Sequence, residues 1–287
     1  MKILVTGSDG MVGSEFIEQS RDYSFIKEVV CSNFDVTDPK SVLETIEKVK
    51  PDAIFHLAAM TDVDGCERNS QECYNINIRG TAHVCQGAKK VGAVLIYPST
   101  TYIYDGEKGS PYDERSDSVA PEKIVGVYSK SKWEGEVLSR QLSQHLIVRF
   151  GALFGGGKND KKFVAKIISK VKFGEKEIEA VKDRIIQPSS VKDTVQNLLK
   201  LIELEGRGVF NMVGQGCATY VEYMQALLDF MGAHDVKVVP VLASHYKEAA
   251  PRAKNITAIN GRLNDMGINL MRDWKTSLKE YVNDYFK

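Results

Sequence analysis

The chain has 287 residues, 43% of them apolar, and its 38 basic residues balance 38 acidic ones. That length and apolar share allow one large or two modest domains with a real core. Zero net charge argues against a general nucleic-acid or anionic-membrane binder, and no stretch approaches the ~20 apolar residues that span a bilayer.

Five cysteines, Cys31, Cys66, Cys73, Cys85 and Cys217, form no CxxC and no metal-ligand spacing. An odd, scattered set fits a reducing cytoplasm, with no metal site expected. The start, Met1-Lys2-Ile3-Leu4-Val5, meets Gly7 at once and reads as a strand, not as a signal peptide.

Lys2 to Thr6 is the expected first strand, buried and parallel. Gly7-Ser8-Asp9-Gly10-Met11-Val12-Gly13 follows, then helical spacing through Ser20. Strand, glycine turn and helix in that order suit a dinucleotide pyrophosphate. Gly7 permits the turn, Gly10 lets backbone N–H groups approach, and Gly13 lets helix and strand pack closely. Gly7, Asp9, Gly10, Met11, Val12 and Gly13 are the cofactor-binding residues expected here. The spacing is G-x-x-G-x-x-G.

Ser24 to Cys31 reads as the second strand. Its end, Val30-Cys31-Ser32, carries no carboxylate for an adenosine 2′-hydroxyl, which tilts the choice slightly toward NADP(H) over NAD(H). Asp35, followed by Val36, has two open readings: an acceptor for the adenine amino group, or part of the turn that starts a helix near Asp38-Pro39. Ser41 to Val49 is an amphipathic helix. Ala53 to Ala59 reads as a buried strand, with Leu57, Ala58 and Ala59 small enough for a dinucleotide to lie across its end. His56, mid-run in apolar residues, reads as a satisfied core histidine. Asn77 heads an expected helix through Lys90. It either orients a catalytic lysine or caps locally.

Val94 to Tyr97 is a further strand, ending at Pro98-Ser99-Thr100-Thr101-Tyr102. A hydroxyl there, best Thr100, can polarise a substrate carbonyl. Tyr128 and Lys132 are spaced to share one helix face. The lysine is expected to lower the phenol pKa and hold a ribose hydroxyl, so that Tyr128 hands a proton to a carbonyl oxygen as hydride arrives. Tyr104 and Lys108 repeat the spacing, but they flank Asp105-Gly106, a turn signal. In the second half, a Gly155-Gly156-Gly157-Lys158 loop with Lys161-Lys162 is followed by helices over Phe163–Lys170, Asp193–Leu204, Tyr220–Met231 and Leu278–Phe286. Gly208 to Met212 is a short strand.

Thr6-Gly7-Ser8-Asp9-Gly10-Met11-Val12-Gly13, His56-Leu57-Ala58-Ala59, Ser99-Thr100-x-Tyr102-x-Tyr104-Asp105-Gly106 and Tyr128-Ser129-Lys130-Ser131-Lys132 together resemble the extended short-chain dehydrogenases/reductases. Asp35-Val36-Thr37-Asp38-Pro39, Pro111-Tyr112 and Asp193 are similar to the dTDP-4-dehydrorhamnose reductase family within them. The resemblance implies an α/β fold: a Rossmann-type doubly wound parallel sheet with a smaller, mainly helical C-terminal substrate lobe. The implied division is residues 1–156 for NAD(P) and 157–287 for substrate, with about 186–213 returning to the first. It also implies a Thr100–Tyr128–Lys132 triad and reduction of the C4 ketone of a nucleotide-linked 6-deoxy sugar.

Thr61, Thr100, Tyr102 and Arg252 are the implied substrate contacts, Arg252 suiting a diphosphate. Where the family carries a tryptophan against the sugar, this chain has Ala152. A homodimer in the cytoplasm, with no nucleic-acid or membrane partner, completes the expectation. Two rivals stay open: an epimerase on the same framework, and a regulatory partner like the methionine adenosyltransferase β subunit. Thr100-Thr101-Tyr102 lacks the carboxylates a sugar dehydratase needs.

Overall fold

The computed structural model describes residues 1–286 apart from 33, 116–118, 158–159 and 161. In the first half strands alternate with helices. β1 (Lys2–Thr6) turns into α1 (Met11–Gln19), and β2 (Glu28–Ser32) leads to α2 (Pro39–Val49). β3 (Ala53–His56) precedes two short helices, α3 (Val63–Arg68) and α4 (Ser70–Tyr74). A π-helical stretch, Asn75–Gly80, then joins α5 (Thr81–Val91). β4 (Val94–Thr100), the short β5 (Tyr112–Asp113), α6 (Val127–Arg140) and β6 (His145–Phe150) follow.

The second half mixes short strands with longer helices. It runs β7 (Ala152–Phe154), α7 (Phe163–Lys172), β8 (Glu177–Val181), β9 (Ile185–Ile186), β10 (Pro188–Ser190) and α8 (Val191–Glu203). Then come β11 (Gly208–Met212), β12 (Ala218–Thr219), α9 (Tyr220–Met231), β13 (Lys237–Val241), β14 (Ala258–Ile259), α10 (Gly261–Asp265) and α11 (Trp274–Phe286).

A parallel six-stranded sheet takes the order β11-β6-β4-β3-β1-β2. Its strands are apolar because both faces are covered. On one face Phe16 of α1 meets Phe55 edge-on, and α8 adds Val195, Leu198 and Leu199. On the other, Val42 and Ile46 of α2 and Val84 and Ala88 of α5 cover Leu4, Ile54 and Leu95. A second apolar cluster joins Phe154 to α7, α9 and α11. Strand order reverses between β1 and β3, where ligands of open α/β sheets bind beyond the strand ends.

Several helix ends follow from local chemistry. Asp38 caps α2 by accepting from Lys40 N, with Pro39 at the first position. Thr219 and Glu222 form a reciprocal capping box that starts α9 at Tyr220, as expected.

Other expectations shift. The second strand covers 28–32, not 24–31, because Ile26 N turns back to Tyr23 O and Tyr23, Phe25 and Ile26 pack on the core as a loop. The third strand stops at His56. Asn77 does not head a helix; it lies inside the π-helical stretch ahead of α5. Tyr104 lies outside any helix, so the Tyr104–Lys108 repeat is a coincidence of spacing. The second half also carries strand pairs β8–β13, β9–β12 and β7–β10 beside its helices.

Candidate active site

The glycine turn sits at the reversal point. Gly7 has φ +64, and a Cβ there would lie 2.8 Å from Ala58 N, so backbone from the two strand ends meets at a distance only glycine tolerates. A Cβ on Gly13 would lie 2.5 Å from Ser8 O, which gives Gly13 its packing reason. Gly10 heads α1 with no side-chain cap, leaving the first N–H groups of the helix for a ligand. Asp9 is exposed beside it, while Met11 lies against Gly156 of the later glycine loop. Ala58 N donates to Thr6 Oγ1 at 3.1 Å, and Leu57 N to Thr6 O at 3.2 Å, so Leu57 to Ala59 run past the β1 end without joining the sheet.

Asp35 takes its turn role here. Its Oδ1 accepts from Thr37 N and Thr37 Oγ1, both at 2.8 Å, which lowers its pKa. Val36 is buried behind it, against Gly80. His56 is satisfied between Thr6 Oγ1 (2.9 Å) and Thr81 Oγ1 (3.2 Å), and burial pulls its pKa down to about 3. It is a core histidine, as its apolar surroundings foretold.

Thr100 ends β4, and its Oγ1 accepts from Tyr102 N at 3.2 Å. Tyr128, in the first turn of α6, meets Tyr102 edge-on with ring centres 6.3 Å apart. Burial, then Tyr102, push the Tyr128 phenol above its ordinary pKa, while a hydrogen bond with the Thr100 side chain pulls the other way.

Lys132 is buried one turn further on. Its Nζ lies 4.2 Å from the centre of the Tyr97 ring, and burial draws its pKa down to about 7. The expectation that Lys132 would lower the Tyr128 phenol is therefore corrected. The phenol is raised, and the lysine itself is the group moved toward neutrality, because both are desolvated. Tyr97 is held by donating to Lys132 O at 3.3 Å, under a gap that Gly135 leaves for its hydroxyl.

Asn77 does not touch the lysine side chain through any bond described. Its Nδ2 donates to Met60 O (3.0 Å) and to Ser131 Oγ (2.9 Å), and its Oδ1 accepts from Met60 N (2.8 Å). Ser131 stands between Tyr128 and Lys132, so Asn77 ties α6 to the strand-end loop.

Arg252 is engaged by protein. Its guanidinium donates to Asp64 Oδ1 and Oδ2 at 3.1 and 2.9 Å, and approaches Glu248 at 3.4 Å. Burial works against its charge, yet Asp64 and Glu248 hold its pKa above the ordinary value. Thr61 is exposed, 3.5 Å from Lys162 Nζ. Lys158 and Lys161 of the expected basic loop lie outside the described residues.

Tyr220, read from the sequence only as the start of a helix, stands at this site too. Its phenol is pushed well above the ordinary range by Tyr102 beside it and by burial. With Phe163 (ring centres 5.3 Å apart) it packs in the cluster that receives Ala152. Arg184, Glu248, Asp64 and Glu67 were also missed, since their partners are remote in sequence. Among the described residues no group of acidic, histidine or cysteine side chains could hold a metal ion, and no helix is long and apolar enough to cross a membrane.

Comparison with known proteins agrees with this geometry. A family model for the RmlD substrate binding domain matches residues 1–286. The dTDP-4-dehydrorhamnose reductase of Mycobacterium tuberculosis is 30% identical, over 96% of this chain and 91% of that protein. The crystal structure of a dTDP-4-dehydrorhamnose reductase from Clostridium acetobutylicum superposes with a TM-score of 0.92 at 31% identity, covering 99% of each chain. One from Bacillus anthracis, in complex with NADP, gives 0.90 at 28% identity and the same coverage. The chain belongs to the RmlD substrate-binding domain family.

Proposed function

We propose that this protein is a dTDP-4-dehydrorhamnose reductase. It reduces the C4 ketone of a dTDP-linked 6-deoxy sugar with NADPH. The observation that carries the reading is Thr100 at the end of β4 beside Tyr128 on α6, at the same C-terminal end of the parallel sheet as the glycine turn. Relatives of that name at 30% identity over 96% of the chain support it.

The turn fits a dinucleotide: positive φ at Gly7, an uncapped helix start at Gly10, and the Leu57–Ala59 segment beyond the end of β3 with its backbone close by. Gly7, Asp9, Gly10, Met11, Val12 and Gly13 would hold the pyrophosphate. Asp35 and Val36 would lie at the adenine end, and Lys132 would hold the nicotinamide ribose. When bound, the reduced dinucleotide supplies the hydride. NADPH is preferred because β2 ends without a carboxylate, and the B. anthracis relative was solved with NADP.

Tyr128 supplies the proton. Its raised pKa keeps the phenol protonated at neutral pH until the developing alkoxide takes that proton. Thr100 holds the carbonyl oxygen. Thr61, Tyr102 and Arg252 face the substrate. Residues 157–287, less about 186–213 and the α10 region, whose Leu263 and Met271 pack in the first core, would form the substrate lobe, built on the cluster around Phe154. A cytoplasmic homodimer completes the reading; five free cysteines suit a reducing compartment.

The test is oxidation of NADPH, and separately NADH, with enzymatically generated dTDP-4-dehydro-L-rhamnose. A dTDP-L-rhamnose product, lost in Tyr128→Phe while dinucleotide binding persists, is the expected outcome. Turnover retained in Tyr128→Phe sinks the assignment.

A further inference from the structure

The helix that carries Tyr128 starts without a cap of its own. Gly126, its N-cap, has φ 81 and no side chain to accept from the first turn. Those N–H groups need acceptors. One comes from a remote element: Val127 N donates to Glu67 Oε2 at 2.8 Å, across 60 residues of sequence. A carboxylate also suits the positive end of the helix dipole. Val127 directly precedes Tyr128.

Asp64 lies one turn back on the same short helix, α3. It accepts from Arg252 through both oxygens and from Ala250 N at 3.0 Å. The same segment abuts the helix start, since a Cβ on Gly126 would lie 3.2 Å from Pro251 O. So α3 grips the start of α6 with one carboxylate and the 250–252 segment with the other.

We propose that Glu67 is a positioning residue for the reaction: it fixes the first turn of α6, and hence the Tyr128 phenol, while Asp64 ties that cap to the 250–252 segment of the C-terminal half. This rests on the reading of Tyr128 as proton donor. The consequence is selective. Loss of the cap frees the first turn, where Tyr128 sits, but spares Lys132 a full turn inside the helix. Proton delivery suffers and dinucleotide binding does not. A displacement of ~1 Å at a reacting group costs on the order of a hundredfold in rate.

The test compares Glu67→Ala with Glu67→Gln, whose amide oxygen accepts the same bond. In Glu67→Ala, kcat should fall by at least about tenfold, with NADPH Kd and ketosugar KM within about twofold of wild type. Glu67→Gln should recover most of the loss. Val127→Pro removes the donor instead of the acceptor at a position where proline is tolerated, and should lower kcat alike; it serves if Glu67→Ala does not fold. A kcat within about twofold of wild type in the folded variant, or an equal loss in Glu67→Gln, overturns the proposal.

A second readout needs no substrate. With 13Cζ-labelled tyrosine, the Tyr128 signal, assigned by its loss in Tyr128→Phe, should move in Glu67→Ala and stay in Glu67→Gln. An unmoved signal in Glu67→Ala overturns the positioning role. Should the wild type reduce no ketosugar, the proposed function fails while this measurement still decides the role of Glu67.

Discussion

Lys132 Nζ rests 4.2 Å from the centre of the Tyr97 ring, beneath the helix that carries Tyr128. A cation over an aromatic face is favourable, but burial costs more here and draws the lysine pKa down to about 7. Free enzyme near neutral pH is therefore a mixture of ammonium and amine. Gripping a ribose hydroxyl as a charged donor calls for the ammonium. We expect kcat/KM to fall as pH rises through about 7, where the lysine loses its proton. A profile flat from pH 6 to 9, about the span that brackets this pKa, would exclude that dependence.

The same burial has a stability signature. Between the folded pKa of about 7 and the ordinary lysine value the unfolded chain binds the extra proton. This residue then makes stability rise with pH by roughly 1.4 kcal/mol per unit across that window. Lys132→Met should abolish turnover, remove that slope, and be more stable than wild type at neutral pH. Urea unfolding at several pH values measures it.

Glu136 and Arg149 form a buried pair that anchors α6 to β6. Arg149 donates to both Glu136 oxygens, at 2.9 and 2.8 Å, and to Tyr104 Oη at 2.9 Å. Glu136→Leu leaves a buried guanidinium without its counter-charge and should cost about 3–5 kcal/mol. Replacing both, as Glu136→Leu with Arg149→Met, should cost less than the sum of the single changes. Denaturant melts of the three variants test this; strict additivity would mean that the pair is not coupled.

Gly7→Ala should weaken dinucleotide binding by at least about tenfold and lower stability by about 1–3 kcal/mol, since it adds both positive-φ strain and a 2.8 Å clash with Ala58 N. Gly92→Ala is the control. Gly92 has φ +72 with nothing within 4 Å of a new Cβ, so it carries the strain without the clash. Dinucleotide titration should separate the two variants, with Gly92→Ala binding as wild type does.

What could be read from the sequence was local. β1, β11 and α9 fall at their expected residues, because apolar runs, flanking glycines and the Thr219 cap act over a few positions. Tyr128, Lys132 and Thr100 are visible as residue types at a spacing. β8 was legible but went unread: Glu177-Ile178-Glu179-Ala180 alternates exposed with buried. α3 and α4 are too short to display a periodic stripe. The state of Lys132 was beyond reach, because it depends on Tyr97, which arrives from strand β4 beneath the helix. Arg252 was legible as a cation near substrate. Its pairing with Asp64, 188 positions away, was not.

β11 sits at the edge of the main sheet and α8 packs on α1, although both follow β7, α7 and the β8 strand in sequence. The chain thus leaves its first core, builds part of the second, and comes back. A single crossover after β6 would therefore carry a foreign sheet edge along with a foreign sugar pocket. Exchanging substrate preference among relatives takes separate insertions around each returning stretch, the α10 region included, and libraries recombined at one breakpoint should yield mostly mismatched cores around Leu198, Phe210 and Leu263.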